Sequence, residues 1–252
     1  MDDLFSVAGK TALVTGGARG LGFTYAKALA SRGAKVIICD LDEHAVAAAV
    51  AELTSYGEIK GYKANVAIEQ EVIALVDKVS NELGQLDILI NNAGVVQRVT
   101  TEDMTLQEWN RVMDVNLTGT FLCCKHFGVM MKRKGKGKII NVSSIAGRMG
   151  LDLRLAYCTS KAAIEHLTRT LAAEWGPDHV NINAIGPGYI KTAMNEDTRA
   201  DPVRYQKMLN QLPWGRFGEP EELVGVLLFL ASPASDYVTG QTIFVDGGLL
   251  TQ

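Results

Sequence analysis

Short, almost unbroken apolar runs rich in Val and Ile recur along the chain between longer stretches of helical period. They are Thr11–Thr15, Lys35–Asp40, Leu86–Ile90, Lys138–Val142, Val180–Ile185 and the shorter Ile243–Val245. Side chains alternate between the two faces of a strand, so a strand apolar at successive positions must be covered on both faces. The stretches Leu21–Ser31, Glu43–Tyr56, Glu69–Leu83 and Ala162–Trp175 carry their apolar residues at helical spacing. Strand–helix alternation of this kind predicts an α/β fold, a parallel sheet with helices on both faces. No Pro-, Gly- or Ser-rich linker and no repeat divides the chain, and the first proline is Pro177, so residues 1–252 are expected to form a single domain. One polar, Met-containing segment, Tyr189–Pro213, breaks the alternation after a strand and reads as a cover over a substrate site.

Composition narrows the function classes. Hydrophobic residues make up 47% and charged residues 21%, ordinary for a packed globular protein, and the net charge of −3 carries no footprint of nucleic-acid or membrane-surface binding. One basic run, Lys132–Lys138, is either a solvated helix end and turn or a docking patch for an acidic partner. The four cysteines, Cys39, Cys123, Cys124 and Cys158, lack framework or CxxC spacing, and the four histidines are scattered. That pattern points to a reducing compartment and away from a disulfide scaffold or catalytic metal. The acidic opening MDDLFSVAGK has no apolar signal region and no run is long enough to span a bilayer, so a cytoplasmic location is expected.

The first run leads into Gly16-Gly17-Ala18-Arg19-Gly20-Leu21-Gly22 at a helix start. Glycines there permit a tight turn and close approach of backbone to a pyrophosphate, and the helix N-terminus supplies free N–H groups. The spacing GxxxGxG is not the usual GxGxxG fingerprint, so this turn alone carries little weight. Asp40 adds to it: a carboxylate at the end of the second strand suits the two adenosine-ribose hydroxyls and repels a 2′-phosphate, favouring NAD over NADP. Alternatively, Asp40 caps the following helix. Arg19 would attract a 2′-phosphate and softens the preference.

Tyr157 and Lys161 stand four apart at a helix start, which puts both on one face. An ammonium there favours tyrosinate and lowers the phenol pKa, although such a pair also occurs as ordinary surface packing. Ser144 follows the Lys138–Val142 strand. Taken with Gly16, Gly20 and Gly22, Asn91–Gly94, Asn116, Pro187-Gly188 and Asp246–Gly248, these residues make the chain resemble the short-chain dehydrogenase/reductase family over essentially its whole length.

The resemblance implies a doubly wound Rossmann fold of about seven strands and assigns the roles. Tyr157 would be the general acid/base, and Lys161 would hold the nicotinamide ribose and tune the tyrosine. Ser144 would bind the substrate oxygen, and Asn116 would keep a water in the proton relay. Asn92 and Gly94 would line the cofactor, and Ile190 and Thr192, beyond Pro187 and Gly188, would reach its carboxamide. Asn65-Val66 would lie by adenine, where the family commonly has Asp-Val, a mild departure because Asn still hydrogen-bonds.

Within the family the chain looks most like gluconate 5-dehydrogenases and related sugar or polyol dehydrogenases, on the runs Asn91–Arg98, Pro187–Asn195, Gly215–Pro220 and Ala234–Thr242. Arg98 is either a bidentate grip for a substrate carboxylate or a solvated loop arginine. Arg154 and Arg148 are weaker candidates, and Tyr189, Met194 and Trp214 would close the apolar side. Three readings stay open: an NAD-linked sugar-acid or polyol dehydrogenase, a 3-oxoacyl-thioester reductase docking its carrier on the basic run, and a non-catalytic binding protein. The resemblance further implies a homotetramer contacting through Asn116–Met131 and Tyr157–Trp175, with a divalent metal at Gln252 as a remoter expectation.

Overall fold

The computed structural model describes Asp3–Thr251, so Gln252 and any metal there lie outside the described residues. Elements follow in the order β1 (Thr11–Thr15), α1 (Gly20–Ala30), β2 (Lys35–Asp40), α2 (Glu43–Leu53), β3 (Ile59–Lys63), α3 (Glu69–Leu83) and β4 (Ile88–Asn91). The chain continues with α4 (Leu106–Met113), α5 (Gly119–Lys134), β5 (Gly137–Val142), α6 (Leu155–Trp175) and β6 (Val180–Pro187). It closes with α7 (Glu196–Ala200), α8 (Pro202–Leu209), α9 (Val224–Ala231) and β7 (Thr242–Val245). All seven strands form one parallel sheet in the order β3-β2-β1-β4-β5-β6-β7.

The apolar runs explain this sandwich directly. Val14, Ile38, Ile90 and Ile140 face α1, α2 and α9, where Tyr25, Leu29, Leu53, Leu227 and Leu230 are buried. Their chain neighbours Leu13, Ile37, Leu89 and Ile139 face α3, α5 and α6, against Val72, Leu75, Phe127 and Met131. Successive positions therefore serve different cores. The pattern missed β3 because it is an edge strand, half-solvated and studded with Lys60 and Lys63. Its Gly61 is pressed against α2, where an added Cβ would stand 2.5 Å from a Val50 methyl.

Between β1 and β4 the strand order reverses direction, opening a crevice at the carboxyl ends of the strands. The glycine turn, Asp40, Asn91–Gly94, Ser144 and Pro187 all sit at those ends. No helix among the described residues is long and apolar enough to cross a membrane.

Candidate active site

The glycine turn is in backbone contact with its surroundings. Gly16 and Gly20 have φ of +61° and +55°, the left-handed region that glycine adopts without strain. A Cβ on Gly22 would stand 2.1 Å from the Gly16 carbonyl oxygen, and one on Gly16 2.9 Å from Ala93 Cα. At Gly20 a Cβ would meet nothing within 4 Å, so the turn is open there. Arg19, at the N-cap of α1, offers no side-chain cap. The first-turn N–H groups and the positive helix end are left for an anion, which fits a dinucleotide pyrophosphate. Leu21 packs against the core beneath.

Thr15 pins the crevice: its Oγ1 accepts from the backbone N–H of Asn92 (3.0 Å) and Ala93 (3.1 Å). The Asn92 amide in turn donates to the carbonyls of Thr15 and Gly16, both at 3.0 Å. Asn92 is thus spent on shaping the turn, while Gly94 stands open beside Asn116 and Lys161, a Cβ there lying 3.4 Å from Asn116 Oδ1 and 3.7 Å from Lys161 Nζ. Asp40 accepts from Leu41 N at 2.8 Å and from Ala18 N at 3.4 Å, which holds its carboxylate at the rim of the turn. Asn65 is occupied locally, its Oδ1 accepting from Ala67 N (3.0 Å) and its N–H donating to Glu71 (2.8 Å). Val66 is buried under Gly119.

Asn116 lies in a single π turn, Asp114–Thr118, between α4 and α5, a modification of the helix expected over Asn116–Met131. Such bulges recur at functional positions. The buried Asn116 side chain accepts from Val95 N (2.8 Å) and donates to Val95 O (3.0 Å) and Ser160 Oγ (3.1 Å). Ser160 then donates to Tyr157 O at 2.7 Å, so the loop after β4, the π turn and the first turns of α6 form one hydrogen-bonded unit.

Helix α6 begins at Leu155, earlier than the apolar pattern suggested, and places Tyr157 in its first turn. Lys161, only 5% exposed, sits 5.6 Å from the Tyr157 ring centroid and donates to Val142 O at 2.7 Å. Ser144, extended at the end of β5, accepts from Ala146 N at 3.1 Å and neighbours the Tyr157 phenol. Burial pushes the phenol above the ordinary tyrosine value, opposed by hydrogen bonding from Ser144 and by the positive charges of Arg154 and Arg98. Lys161 is itself lowered to about 8 by burial. The expected lowering of Tyr157 by Lys161 is not what the free protein shows: burial of the phenol dominates, and the charges that oppose it are those of Arg154 and Arg98.

On the substrate side, Pro187 ends β6 and the Gly188 N–H donates to Val245 O at 2.9 Å, with no room for a Cβ, which would lie 2.5 Å from Asp246 Cα. Ile190 is buried, and Thr192 caps the turn Ala193–Asn195. Tyr189 stacks on Phe217 with centroids 5.4 Å apart, and a bridge from Ile190 to Gly218 closes the base of the segment carrying α7 and α8. Arg98 donates to Met194 O (2.8 Å) and Arg154 to Asp152 O (3.0 Å). Among the described residues neither arginine has a carboxylate within ion-pair distance. Trp214, 67% exposed, lies under the Arg216 guanidinium.

Two further groups of the sequence reading are engaged in ion pairs. Arg148 is tied by Nε to the buried Glu165 at 2.6 Å, so it braces α6. Lys132, Lys134, Lys136 and Lys138 pair with Asp178, Asp87 and Asp236, at the amino ends of the strands and across the sheet from the crevice. Thr15, Ser160 and Glu165 went unnoticed in the sequence because each acts through its position beside a named residue rather than through a motif. Among the described residues no cluster of three or more His, Cys, Asp or Glu side chains is placed to hold a metal.

This crevice defines a nicotinamide-dependent oxidoreductase class, and residues 16–250 match the family model described as Enoyl-(Acyl carrier protein) reductase. The chain belongs to the short-chain dehydrogenase/reductase family. It is 38% identical to the 5-keto-D-gluconate 5-reductase of Escherichia coli (strain K12) over 252 residues, 99% of each chain. It is 40% identical to the 3-oxoacyl-(acyl-carrier-protein) reductase of Synechocystis sp. over 244 residues, 96% of this chain and 97% of that one. A crystal structure of a gluconate 5-dehydrogenase from Burkholderia cenocepacia, in complex with NADP and tartrate, superposes with a TM-score of 0.95 at 35% identity. The superposition covers 99% of this chain and 98% of that one.

Proposed function

We propose that this chain is an NAD-preferring dehydrogenase that interconverts a secondary alcohol and a ketone on a sugar acid. The observation that carries the reading is the pair Arg98 and Arg154. Their charges bear on the Tyr157 phenol, and among the described residues no carboxylate neutralises them within ion-pair distance. Unspent guanidiniums beside an acid/base group suit an anionic substrate held by one end while the other reacts. The names of the gluconate relatives support the same class.

In oxidation, Tyr157 Oη takes the substrate hydroxyl proton, and in reduction it returns one. Ser144 Oγ donates to the substrate oxygen and steadies its developing charge. Lys161 keeps the site positive, and Asn116 holds the loop after β4 in register while supporting a water between Lys161 and solvent. Gly16, Gly20 and Gly22 with the α1 N-terminus would hold the pyrophosphate, Asp40 the adenosine ribose, Asn65 and Val66 the adenine, and Ile190 and Thr192 the carboxamide. When bound, the nicotinamide supplies hydride transfer, which no side chain can perform. The segment Tyr189–Pro213 would cover the substrate, with Tyr189 on its wall. This reading takes residues 1–252 as one cytoplasmic domain working as a homotetramer, and the exposed Phe121 and Val129 on α5 suit a subunit contact.

NAD preference rests on Asp40, although the Burkholderia relative holds NADP. A 3-oxoacyl-thioester reductase is the second reading, favoured by the Synechocystis relative. The basic run argues against it, because its lysines are consumed in ion pairs away from the crevice. A turnover screen of gluconate and related sugar acids, neutral polyols and a 3-oxoacyl thioester, each with NAD and NADP forms, decides. Sugar-acid turnover with NAD is expected, and turnover of the thioester alone would overturn the proposal.

A further inference from the structure

The rim of the glycine turn carries three charges, of which the family motif accounts for one. Asp40 is fixed over the turn by Ala18 N and Leu41 N. Arg19, the residue following Ala18, extends its guanidinium to Asp42, with NH2 3.3 Å from Oδ2. Asp42 is itself held: its Oδ1 accepts from Ala45 N at 3.1 Å as the N-cap of α2. That capping bond, with the charge of Arg19, keeps the Asp42 carboxyl below the ordinary aspartate value and therefore ionised at neutral pH.

We infer that Asp42 is a cofactor-selectivity residue: by occupying Arg19, it withholds from a 2′-phosphate the guanidinium that follows Ala18 at the rim of the turn. The inference rests on the cofactor reading above and deepens it. Asp40 alone repels a 2′-phosphate, but an adjacent free arginine would offset the repulsion with charge-assisted hydrogen bonds. With Asp42 in place, the phosphate meets two carboxylates and a guanidinium already engaged. The pair is largely exposed, at 67% and 50% for the two side chains, so it is a selectivity device and contributes little to stability.

Asp42→Asn separates charge from structure, because asparagine caps a helix about as well as aspartate. The affinities of NAD⁺, NADP⁺, 5′-AMP and 2′,5′-ADP are measured by calorimetry at low salt, with no turnover required. In Asp42→Asn, the ratio of Kd for NADP⁺ to Kd for NAD⁺ is expected to fall about fivefold to tenfold, a change of about 1.0 to 1.4 kcal/mol. The 2′,5′-ADP to 5′-AMP ratio should fall in parallel, and the gain should shrink as salt is raised. Adding Arg19→Met to Asp42→Asn should remove most of it, while Arg19→Met alone should leave the wild-type ratio within about twofold. An unchanged ratio in Asp42→Asn, a gain that survives in full without Arg19, or a loss of NADP⁺ affinity in Arg19→Met alone would each overturn the inference. A wild-type protein that binds NADP⁺ more tightly than NAD⁺ would instead overturn the reading of Asp40, and the response to Asp42→Asn would still be interpretable.

Discussion

The Asn116 carboxamide bonds both backbone polar groups of Val95, accepting from its N–H at 2.8 Å and donating to its carbonyl at 3.0 Å. This clamp fastens the loop that lines the cofactor crevice to the π turn before α5. Asn116→Leu leaves a buried N–H and C=O without partners, each costing about 1–3 kcal/mol. We expect a visible fall in melting temperature together with at least a tenfold loss of kcat. Asn116→Asp keeps the acceptor and loses the donor, so it should retain more stability than Asn116→Leu. Thermal melts and steady-state kinetics on both variants check the ordering.

Lys161 stores a cost in the fold. Its folded pKa of about 8 lies below the ordinary lysine value of 10.5 because the ammonium is buried. The charged form is therefore penalised in the native state: the penalty is complete below pH 8 and is relieved as pH rises toward the unfolded value. At 1.36 kcal/mol per pH unit the gap amounts to about 3–3.5 kcal/mol. Lys161→Met should abolish turnover yet match or exceed the wild-type melting temperature at pH 7, and the advantage should vanish toward pH 10. Melts across that range provide the check.

Because burial holds the Tyr157 phenol high, oxidation is expected to accelerate with rising pH and reduction to slow. The kcat/KM profiles of the two directions should slope oppositely above neutrality. Parallel profiles would remove Tyr157 as the titrating group.

Two glycines of the same turn should respond differently. Gly22→Ala drives a methyl into the Gly16 carbonyl at 2.1 Å, whereas at Gly20 there is open space and only the positive φ is strained. We expect Gly22→Ala to lose dinucleotide binding, and Gly20→Ala to fold at a cost of about 1–2 kcal/mol with weakened binding. Calorimetric titration with NAD⁺ distinguishes them.

Most of the sheet could be read from the chain because each doubly covered strand is an apolar run, as Leu13–Val14 and Ile37–Ile38 show by splitting between the two cores. Strand β3 escaped because an edge strand need not be apolar on both faces. The positions of Tyr157, Lys161 and Ser144 were accessible through spacing and family resemblance. Their supports were not: Thr15, Ser160 and Glu165 gain their roles from long-range geometry, and the partner of Arg19 is 23 residues away. The basic run stayed open between a solvated helix end and a docking patch because sequence shows charge but not the acids that meet it in space.

The central claim, that Tyr157 moves the proton, is tested most directly by Tyr157→Phe, which removes the phenol oxygen while keeping the ring. Turnover of the best sugar-acid substrate should fall at least about a thousandfold, in keeping with loss of a general acid/base. The Kd for NAD⁺ should stay within about threefold, showing an intact cofactor crevice. Turnover within tenfold of wild type would contradict the account.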